Sequence, residues 1–245
     1  MRNLSILILT RNRLAMIRRL LSSGMFWDGL SWWRNLSFEH YADVIVLNQN
    51  STDGTAEYLN DLHSRPYADP QWVEHVPMNY NAGCAGGRNA LVSRLHLQRL
   101  DDIVVFLDDD IVPTSAQWLE RLVAPILAGE ADISGVDCRR IDVHGMTYVD
   151  ASAPHYVSGG WMAVRAELFM IGRYGLYFDD QFNPNYYEDV DWCLRATALG
   201  ARLVCVGEIG LLHTPEPTIG QNLAGDASRV KFLKKWAGKL EGIQT

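Results

Sequence analysis

Short apolar runs alternate with amphipathic segments in the first half of the chain. Four runs rich in Val, Ile and Leu, each bounded by polar residues, predict β-strands at Leu4–Leu9, Asp43–Leu47, Val73–Val76 and Ile103–Leu107. The last run is apolar at every position, which is typical of a central parallel strand covered on both faces. Helical spacing follows each strand, in Leu14–Ser23, Thr55–Leu62, Gly87–Leu100 and Ser115–Leu127. This alternation predicts an α/β fold with a Rossmann-like, doubly wound, mostly parallel central sheet and flanking helices.

The second half of the chain has a different pattern. Strands are predicted at Ala131–Val136, Tyr156–Val164 and Arg202–Val206, and helices at Glu188–Leu199 and about residues 226–240. Gly159 and Gly160 lie inside the second of these strands, and such a pair indicates a bulge or a close approach to the backbone. The chain shows no repeat, low-complexity tract or linker, which favours one domain over residues 1–245.

Composition narrows the class of protein. The 245 residues include 22 Lys and Arg against 29 Asp and Glu, a net charge of −7, with 48% hydrophobic and 21% charged residues. These values are typical of an ordered globular chain. The acidic balance argues against nucleic acid as the principal ligand, because phosphate backbones favour a basic surface.

The spacing of the cysteines and the N-terminal segment indicate the cellular compartment in which we expect the protein. Cys84, Cys138, Cys193 and Cys205 form no C-x-x-C pair and no zinc-finger spacing, so we expect four free thiols in a reducing compartment. The apolar run Leu4–Leu9 is too short for a signal peptide or a membrane span. The expected location is cytoplasmic, either soluble or peripherally associated with a membrane.

Asp108, Asp109 and Asp110 directly follow the most apolar strand. Three adjacent carboxylates repel one another unless they are solvated or neutralised by a cation. Open α/β sheets bind ligands at the carboxyl ends of their strands, and Mg²⁺ and Mn²⁺ prefer oxygen ligands. The triplet therefore predicts a metal and phosphate site, although a solvated turn with a helix-capping Asp also fits the residues.

Two polar turns follow other predicted strands. The run Asn50–Thr55 suits a tight turn before a helix, with Asp53 as a cap. The glycine-rich run Asn81–Asn89 could bring backbone amides and Arg88 to a phosphate. Its spacing matches neither a P-loop nor a dinucleotide-binding turn. For both runs a plain structural turn stays open.

A last acidic cluster, Glu188, Asp189 and Asp191, opens a predicted helix. Acidic residues stabilise a helix N-terminus, which would account for them without any further role. One carboxylate could instead act as a general base toward a hydroxyl. His213 follows an apolar stretch and could complete a metal site, although a lone His is more often structural.

Taken in order, these segments resemble the family 2 glycosyltransferases, which have the GT-A fold. The resemblance runs through ILILTRNR, NQNSTDGT, NAGCAGGRN, LDDD, GGWMAVRAELF and YYEDVDWCLR, and extends to about His213. It implies an enzyme that transfers a sugar from a nucleoside diphosphate sugar, with inversion, to a glycan, lipid-linked or small-molecule acceptor. Residues about 1–110 would form the nucleotide-sugar half, and residues about 111–245 the acceptor-binding and catalytic half.

The resemblance also implies roles for individual residues. The nucleotide-sugar would contact Thr10, Arg11, Asn12, Asn48, Asn50, Asp53, Gly83, Arg88, Asp108 and Asp109. Asp189 would be the catalytic base and Glu188 an acceptor contact. Asp110 and His213 would hold Mn²⁺ or Mg²⁺. The sugar and acceptor side would include Gly159, Gly160, Trp161 and Asp191.

Several points stay open in the sequence. Many relatives have Asp near Asn48, so the base of the nucleotide is undetermined. Alternatives are a sugar-phosphate nucleotidylyltransferase, which would need a glycine-rich loop after the first strand, and a non-catalytic nucleotide- or glycan-binding member of the fold. The basic C-terminal helix could lie on a membrane surface or pack as an ordinary helix, and the oligomeric state is not indicated.

Overall fold

A seven-stranded sheet forms the centre of the molecule. The structure is a computed structural model, and it describes residues 3–36, 41–66, 69–95, 100–214 and 221–243, except for the side chains of 221–224 and 243. In these ranges the strands are β1 (Asn3–Thr10), β2 (Tyr41–Gln49), β3 (Glu74–Met78), β4 (Ile103–Leu107), β5 (Ile111–Pro113), β6 (Ile133–Gly135), β7 (Cys138–Ile141), β8 (Thr147–Val149), β9 (Tyr156–Val157), β10 (Trp161–Arg165), β11 (Leu203–Cys205) and β12 (Leu211–His213).

The central sheet is mostly parallel. Its strand order is β11-β6-β10-β4-β1-β2-β3, and β10 alone among these strands runs antiparallel to both neighbours. The carboxyl ends of β1, β2 and β4 therefore meet at one edge of the sheet. Because β10 runs the other way, its first residue Trp161 pairs with Leu107, the last residue of β4. The loops before β10 and after β4 are thereby brought together at that same edge.

Helices cover both faces of the sheet. They are α1 (Leu14–Leu21), α2 (Gly24–Asn35), α3 (Thr55–His63), α4 (Gly83–Arg94), α5 (Trp118–Leu127), α6 (Glu188–Ala198) and α7 (Gln221–Lys235). Successive strand residues point to opposite faces. Ile6 and Ile8 of β1 accordingly join the cluster under α1, α2 and α5, whereas Leu7 joins the cluster that includes α4 and α6. Two hydrophobic layers thus sandwich the sheet, as the alternating pattern predicts.

The predicted elements differ from the structure in several places, and strands β5, β7, β8 and β12 are absent from the sequence prediction. Helix α2, which carries Trp27, Trp32 and Trp33, is absent from the sequence prediction, and Trp33 is fully buried. Helix α4 begins at Gly83 rather than residue 87, and residues 96–99 of the predicted helix lie outside the described residues. The predicted strand Tyr156–Val164 is split, because Ser158 to Gly160 leave the small sheet β8-β7-β9 and enter the central one.

Two of the four cysteines are bonded to each other, so the expectation of four free thiols is wrong. Cys138 and Cys205 form a disulfide with a Cα–Cα distance of 5.9 Å. Cys138 begins β7 just after β6, and Cys205 ends β11, which pairs with β6. The bond spans 67 residues, and only this strand pairing brings the two thiols together. Cys84 and Cys193 are free.

Helix α7 packs on the protein with its apolar side chains. Phe232 is fully buried, Trp236 is nearly so, and Lys235 forms ion pairs of 2.6 Å with Asp179 and with Asp191. Phe232 and Trp236, two aromatic side chains of this basic C-terminal segment, are therefore part of the core. Within the described ranges, no helix is both long and apolar enough to cross a bilayer.

Candidate active site

An open cleft of about 600 Å³ lies at the edge where β1, β2 and β4 end. It is lined by residues from both halves of the chain: Leu9, Thr10, Arg11, Arg13, Gln49, Cys84, Arg88, Asp108, Asp109, Asp110, Asp137, Arg139, Thr147, Tyr156, Ser158, Gly160, Asn185, Tyr186, Tyr187, Glu188, Asp189, Val190 and His213. Ligands bind at this edge in open α/β sheets because the strand order there leaves a crevice between loops.

Two arginines pair with the aspartate triplet after β4. Arg13 Nη1 donates to Asp109 Oδ1 at 3.0 Å and to Asp110 Oδ2 at 2.9 Å. Asp108 is half exposed and lies 3.4 Å from Arg88 Nη2. Burial is the main cause that raises the pKa of Asp109 to about 7, against the opposing charge of Arg13. The fold therefore neutralises part of the acidic triplet with two arginines, of which the sequence analysis did not identify Arg13.

Asp110 and His213 fit a divalent cation. Strand β12 pairs with β5 and sets His213 opposite Ile111, so that His213 Nε2 lies 3.5 Å from Asp110 Oδ1. This oxygen is buried and has no hydrogen-bond partner. In the described part of the chain, no three His, Cys, Asp or Glu residues gather closely enough to hold a metal. The protein thus offers a carboxylate oxygen and an imidazole nitrogen, and further ligands would have to come from a bound molecule or water.

Glu188 and Asp189 reach the cleft from the start of α6. Asp189 is half-buried, and its Oδ2 accepts a hydrogen bond of 3.0 Å from the Gly159 amide. Glu188 is buried, and its Oε1 accepts from Arg88 Nη1 at 2.7 Å. Burial and the neighbouring Asp189 raise the pKa of Glu188 to about 7 despite Arg88. The two carboxylates are therefore held by different partners and differ in environment.

The Gly159–Gly160 pair separates the two acidic clusters. A Cβ on Gly160 would lie 2.5 Å from Asp108 Oδ2, and a Cβ on Gly159 would lie 2.9 Å from Arg88 Cζ. A side chain at either position would force Arg88 or Asp108 to shift, because both pack directly on this backbone. The close approach that the glycines indicate is made by protein side chains. Trp161 is absent from the cleft lining, and its ring packs edge-on to His213 at 5.5 Å.

Several residues that the resemblance assigns to nucleotide binding hydrogen-bond within and between the turns after β1 and β2. Asn12 Oδ1 accepts from the Thr52 amide at 2.8 Å. Asp53 accepts from the Leu14 amide at 2.9 Å and from Thr55 Oγ1 at 2.6 Å. Among these two turns, the cleft lining includes Thr10 and Arg11 but neither Asn12 nor Asp53. The turns are thus joined to each other beneath the cleft edge.

Asn48, Asn50 and Gly83 also lie outside the cleft lining. Asn48 is buried, and its Oδ1 accepts from the Ser51 amide, while Asn50 has a left-handed backbone. The neighbouring Gln49 lines the cleft instead, and its Oε1 accepts from the Ala82 amide at 2.9 Å. Successive residues of a strand point to opposite faces, so the side chains of Asn48 and Gln49 point in opposite directions. This alternation was the one sequence signal that could have identified Gln49.

The structure corrects the placement of Asp191. Its carboxylate is fully buried and accepts from Arg195 Nε at 2.8 Å and from Trp236 Nε1 at 3.0 Å, and Lys235 lies 2.6 Å away. It is absent from the cleft lining, so it does not face an acceptor there. The cleft lining also includes residues that the sequence analysis did not assign, among them Arg139, Tyr156 and Tyr186. Arg139 and Tyr156 lie in segments without a local motif, and the packing of β7 and β9 brings them to the cleft, whereas Tyr186 opens the segment YYEDVDWCLR.

Known structures share this architecture. GalNAc-T7, solved with UDP, GalNAc and Mn²⁺, superposes with a TM-score of 0.73 at 12% identity, over 98% of this chain and 49% of that one. The glucosyl-3-phosphoglycerate synthase of Mycobacterium tuberculosis, with Mn²⁺, UDP and glucosyl-3-phosphoglycerate, gives 0.59 at 19% identity, over 93% and 76%. The mannosyltransferase PcManGT of Pyrobaculum calidifontis, with GDP-Man and Mn²⁺, gives 0.59 at 18% identity, over 84% and 56%. The fold is thus GT-A, and the chain spans only about half the length of two of these proteins.

Sequence comparison assigns the family. No curated protein matches the chain. Residues 5–186 match glycosyl transferase family 2, a range that includes the strands β1, β2 and β4 and the aspartate triplet. With the match covering well over half of its length, the chain belongs to glycosyl transferase family 2.

Proposed function

We propose that this chain is a metal-dependent inverting glycosyltransferase, which moves a sugar from a nucleoside diphosphate sugar to an acceptor hydroxyl. One observation carries the proposal. Asp108 packs on Gly160, and Asp189 accepts a hydrogen bond from Gly159, so a donor-side and a catalytic carboxylate flank one short backbone segment in the same cleft. A sugar lying against that segment would meet both.

The donor would lie along the ends of β1, β2 and β4. Thr10, Arg11 and Gln49 line this end of the cleft and would face the nucleoside. The three related structures were solved with UDP or GDP-Man, which supports a nucleoside diphosphate here. We propose that residues about 1–110 form the donor half and residues about 111–245 the acceptor half of a single domain.

Asp110 and His213 would hold the cation, Mn²⁺ or Mg²⁺, that is present in related structures. A bound divalent cation supplies positive charge against which a diphosphate leaving group can develop its negative charge. Arg13 contributes fixed positive charge on the opposite oxygen of Asp110 and would keep that carboxylate in place. Asp108 would contact the sugar through its half-exposed side chain.

Asp189 would take the proton of the acceptor hydroxyl as that oxygen attacks the anomeric carbon. The C–O bond to the acceptor forms while the bond to the diphosphate breaks, so a single displacement inverts the configuration. General base catalysis of this kind contributes about 10²–10⁴-fold. Glu188 Oε2 is buried without a hydrogen-bond partner and would accept from a substrate hydroxyl.

The acceptor side is polar with aromatic rings. Tyr156, Tyr186 and Tyr187 line it together with Arg139 and Thr147. Such a wall suits a hydroxylated acceptor, with hydroxyl and guanidinium groups for hydrogen bonds and rings for the apolar faces of a sugar. A glycan, the head of a lipid-linked glycan or a small polyol all meet this description.

A donor-panel assay tests the proposal. Purified protein is incubated with UDP- and GDP-sugars and a mixture of glycan acceptors, with Mn²⁺, with Mg²⁺ or with a chelator. We expect metal-dependent transfer, and an anomeric configuration in the product opposite to that of the donor by NMR. Transfer that persists in the chelator would contradict metal dependence, and a retained configuration would contradict the single displacement.

A further inference from the structure

Arg88 occupies the junction between the two acidic clusters. Its Nη1 donates to Glu188 Oε1 at 2.7 Å, and its Nη2 lies 3.4 Å from Asp108 Oδ1. The side chain is 5% exposed, and its guanidinium carbon lies 5.6 Å from the centre of the Phe178 ring. An arginine with this much burial is held by its partners on several sides and has little freedom to reorient.

The backbone opposite Arg88 is shaped around it. Gly159 places its Cα so close to the guanidinium that any Cβ would lie 2.9–3.0 Å from Cζ and both terminal nitrogens. The same segment donates its amide to Asp189. The glycine thus lets the guanidinium and the catalytic carboxylate approach one backbone segment from two sides.

The two carboxylate oxygens of Glu188 differ in their hydrogen bonding. Oε1 is occupied by Arg88, whereas Oε2 is buried and has no hydrogen-bond partner. A buried acceptor without a partner is unfavourable, and a substrate hydroxyl would satisfy it. The orientation of Glu188 therefore depends on the contact with Arg88, because this contact holds Oε1 and leaves Oε2 as the oxygen without a partner.

We propose that Arg88 is a positioning residue, which holds Glu188 and Asp108 so that both carboxylates face the substrates, and that it does not bind the donor phosphates. The proposal rests on the proposed glycosyl transfer for its kinetic consequences. Its geometric part, that Arg88 orients and ionises Glu188, stands independently of any reaction.

The charged and titratable groups around Glu188 are few. Arg88 and Cys84 face it from α4, Asp189 adjoins it on α6, Tyr186 lies in the preceding segment, and Asp108 lies beyond Arg88. Arg88 is the cation in this set, and the carboxylates of Asp189 and Asp108 oppose the ionisation of Glu188. Removal of Arg88 should therefore make Glu188 harder to ionise.

The test uses Arg88→Gln and Arg88→Lys, with Arg94→Gln as the matched control. Arg94 lies on the same helix and pairs with Glu74 at 2.9 Å at the surface. Protein with ¹³C-labelled glutamate is titrated by NMR, and Glu188→Gln identifies the signal. We expect the Glu188 midpoint to rise in Arg88→Gln, to change less in Arg88→Lys and to stay at the wild-type value in Arg94→Gln.

Two further measurements separate positioning from phosphate binding. For Arg88→Gln and Arg88→Lys we expect kcat/KM for the acceptor to fall by up to about 10²-fold, the loss expected from a misplacement of about 1 Å. Calorimetry with Mn²⁺ and UDP or GDP should give wild-type affinity, because the diphosphate end is assigned to Asp110 and His213. Arg88→Lys keeps the charge and provides these readings if Arg88→Gln does not fold.

Three results would overturn the inference. An unchanged Glu188 titration in folded Arg88→Gln would remove its geometric part. Weaker nucleotide affinity with unchanged acceptor kcat/KM would assign Arg88 to the phosphates instead. A shift of the same size in Arg94→Gln would show that Glu188 responds to any loss of charge on α4. If the wild-type protein transfers no sugar, the proposed function fails, while the titration still decides the role of Arg88.

Discussion

The two acidic clusters of this chain have similar sequences, but their carboxylates lie in different surroundings. Asp108, Asp109 and Asp110 follow a strand, and all three line the cleft. Glu188, Asp189 and Asp191 begin a helix, and only the first two line it. Asp191 lies two to three positions deeper in α6, about 4.5 Å along the helix axis from Glu188. There α6 meets α7, and the carboxylate is fully buried among Arg195, Lys235 and Trp236.

The difference shows what makes a carboxylate available for chemistry. The strand ends at a sheet edge where loops diverge, so consecutive residues meet the same opening. The helix turns its residues through about 100° each and carries them away from the opening within one turn. A carboxylate that does not line the cleft takes part in a buried ion-pair network instead. The role of that network is structural.

Replacement of Asp189 should give the largest effect. Asp189→Asn keeps the size of the side chain and removes the proton acceptor, so we expect kcat to fall by about 10²–10⁴-fold. Steady-state kinetics with the natural acceptor measures it, and calorimetry should show little change in donor or metal affinity. Near-wild-type turnover would place the base elsewhere. Glu188→Gln should act more on the acceptor KM.

Replacement of Asp110 tests the strand cluster. Asp110→Ala removes the unpartnered oxygen that faces His213, so Mn²⁺-dependent nucleotide affinity should fall by about 10²-fold or more, which is about 2.7 kcal/mol. His213→Ala should weaken it less. Isothermal calorimetry with and without Mn²⁺ measures both, with Asp61→Ala on the exposed face of α3 as control. An unchanged affinity in folded Asp110→Ala would refute the metal assignment.

Replacement of Asp191 should affect stability instead of chemistry. Asp191→Asn leaves Lys235 and Arg195 without their shared carboxylate, and the loss of one partner from a buried pair should lower the free energy of unfolding by about 3 kcal/mol. Urea denaturation measures it, and kcat per folded molecule should stay close to wild type. A double-mutant cycle with Lys235→Met should show coupling, since the two changes remove one interaction. Loss of kcat in fully folded Asp191→Asn would return Asp191 to the active site.

The pH dependence of stability should show the most gradual effect. The pKa of Glu188 is raised from 4.5 to about 7, so between these values the folded protein binds more protons than the unfolded chain. Glu188 should therefore make stability fall as pH rises through this window, by at most about 1.4 kcal/mol per pH unit. Urea denaturation from pH 4.5 to 7.5 should show a shallower fall in Glu188→Gln, whereas exposed Glu208→Gln should follow wild type. Identical slopes in wild type and Glu188→Gln would contradict the raised pKa of Glu188.

The local sequence pattern was sufficient to predict the strands and helices whose apolar residues recur with a simple period. β4 begins and ends where its apolar run does, and the α/β architecture follows from the alternation of strands and helices. The aspartate triplet, Glu188 and Asp189 were also identified, because adjacent carboxylates at a strand end or a helix start are costly without a partner. The sequence pattern did not predict helix α2, because its tryptophans and glycines have a weak helical preference. Its burial against α5 stabilises it.

Partners distant in sequence were decided by tertiary structure alone. Arg13 reaches Asp109 and Asp110 across 96 and 97 residues, Arg88 reaches Glu188 across 100, and Cys138 reaches Cys205 across 67. No periodicity along the chain encodes such pairs, because they form only when parallel strands and crossover helices bring separate loops to one edge. Asp191 shows the same limit of sequence analysis, because the acidic motif that contains it does not indicate which helix will pack against it. The sequence thus indicated the chemistry that each residue can perform. The arrangement of loops at the sheet edge determined which of these residues could act together.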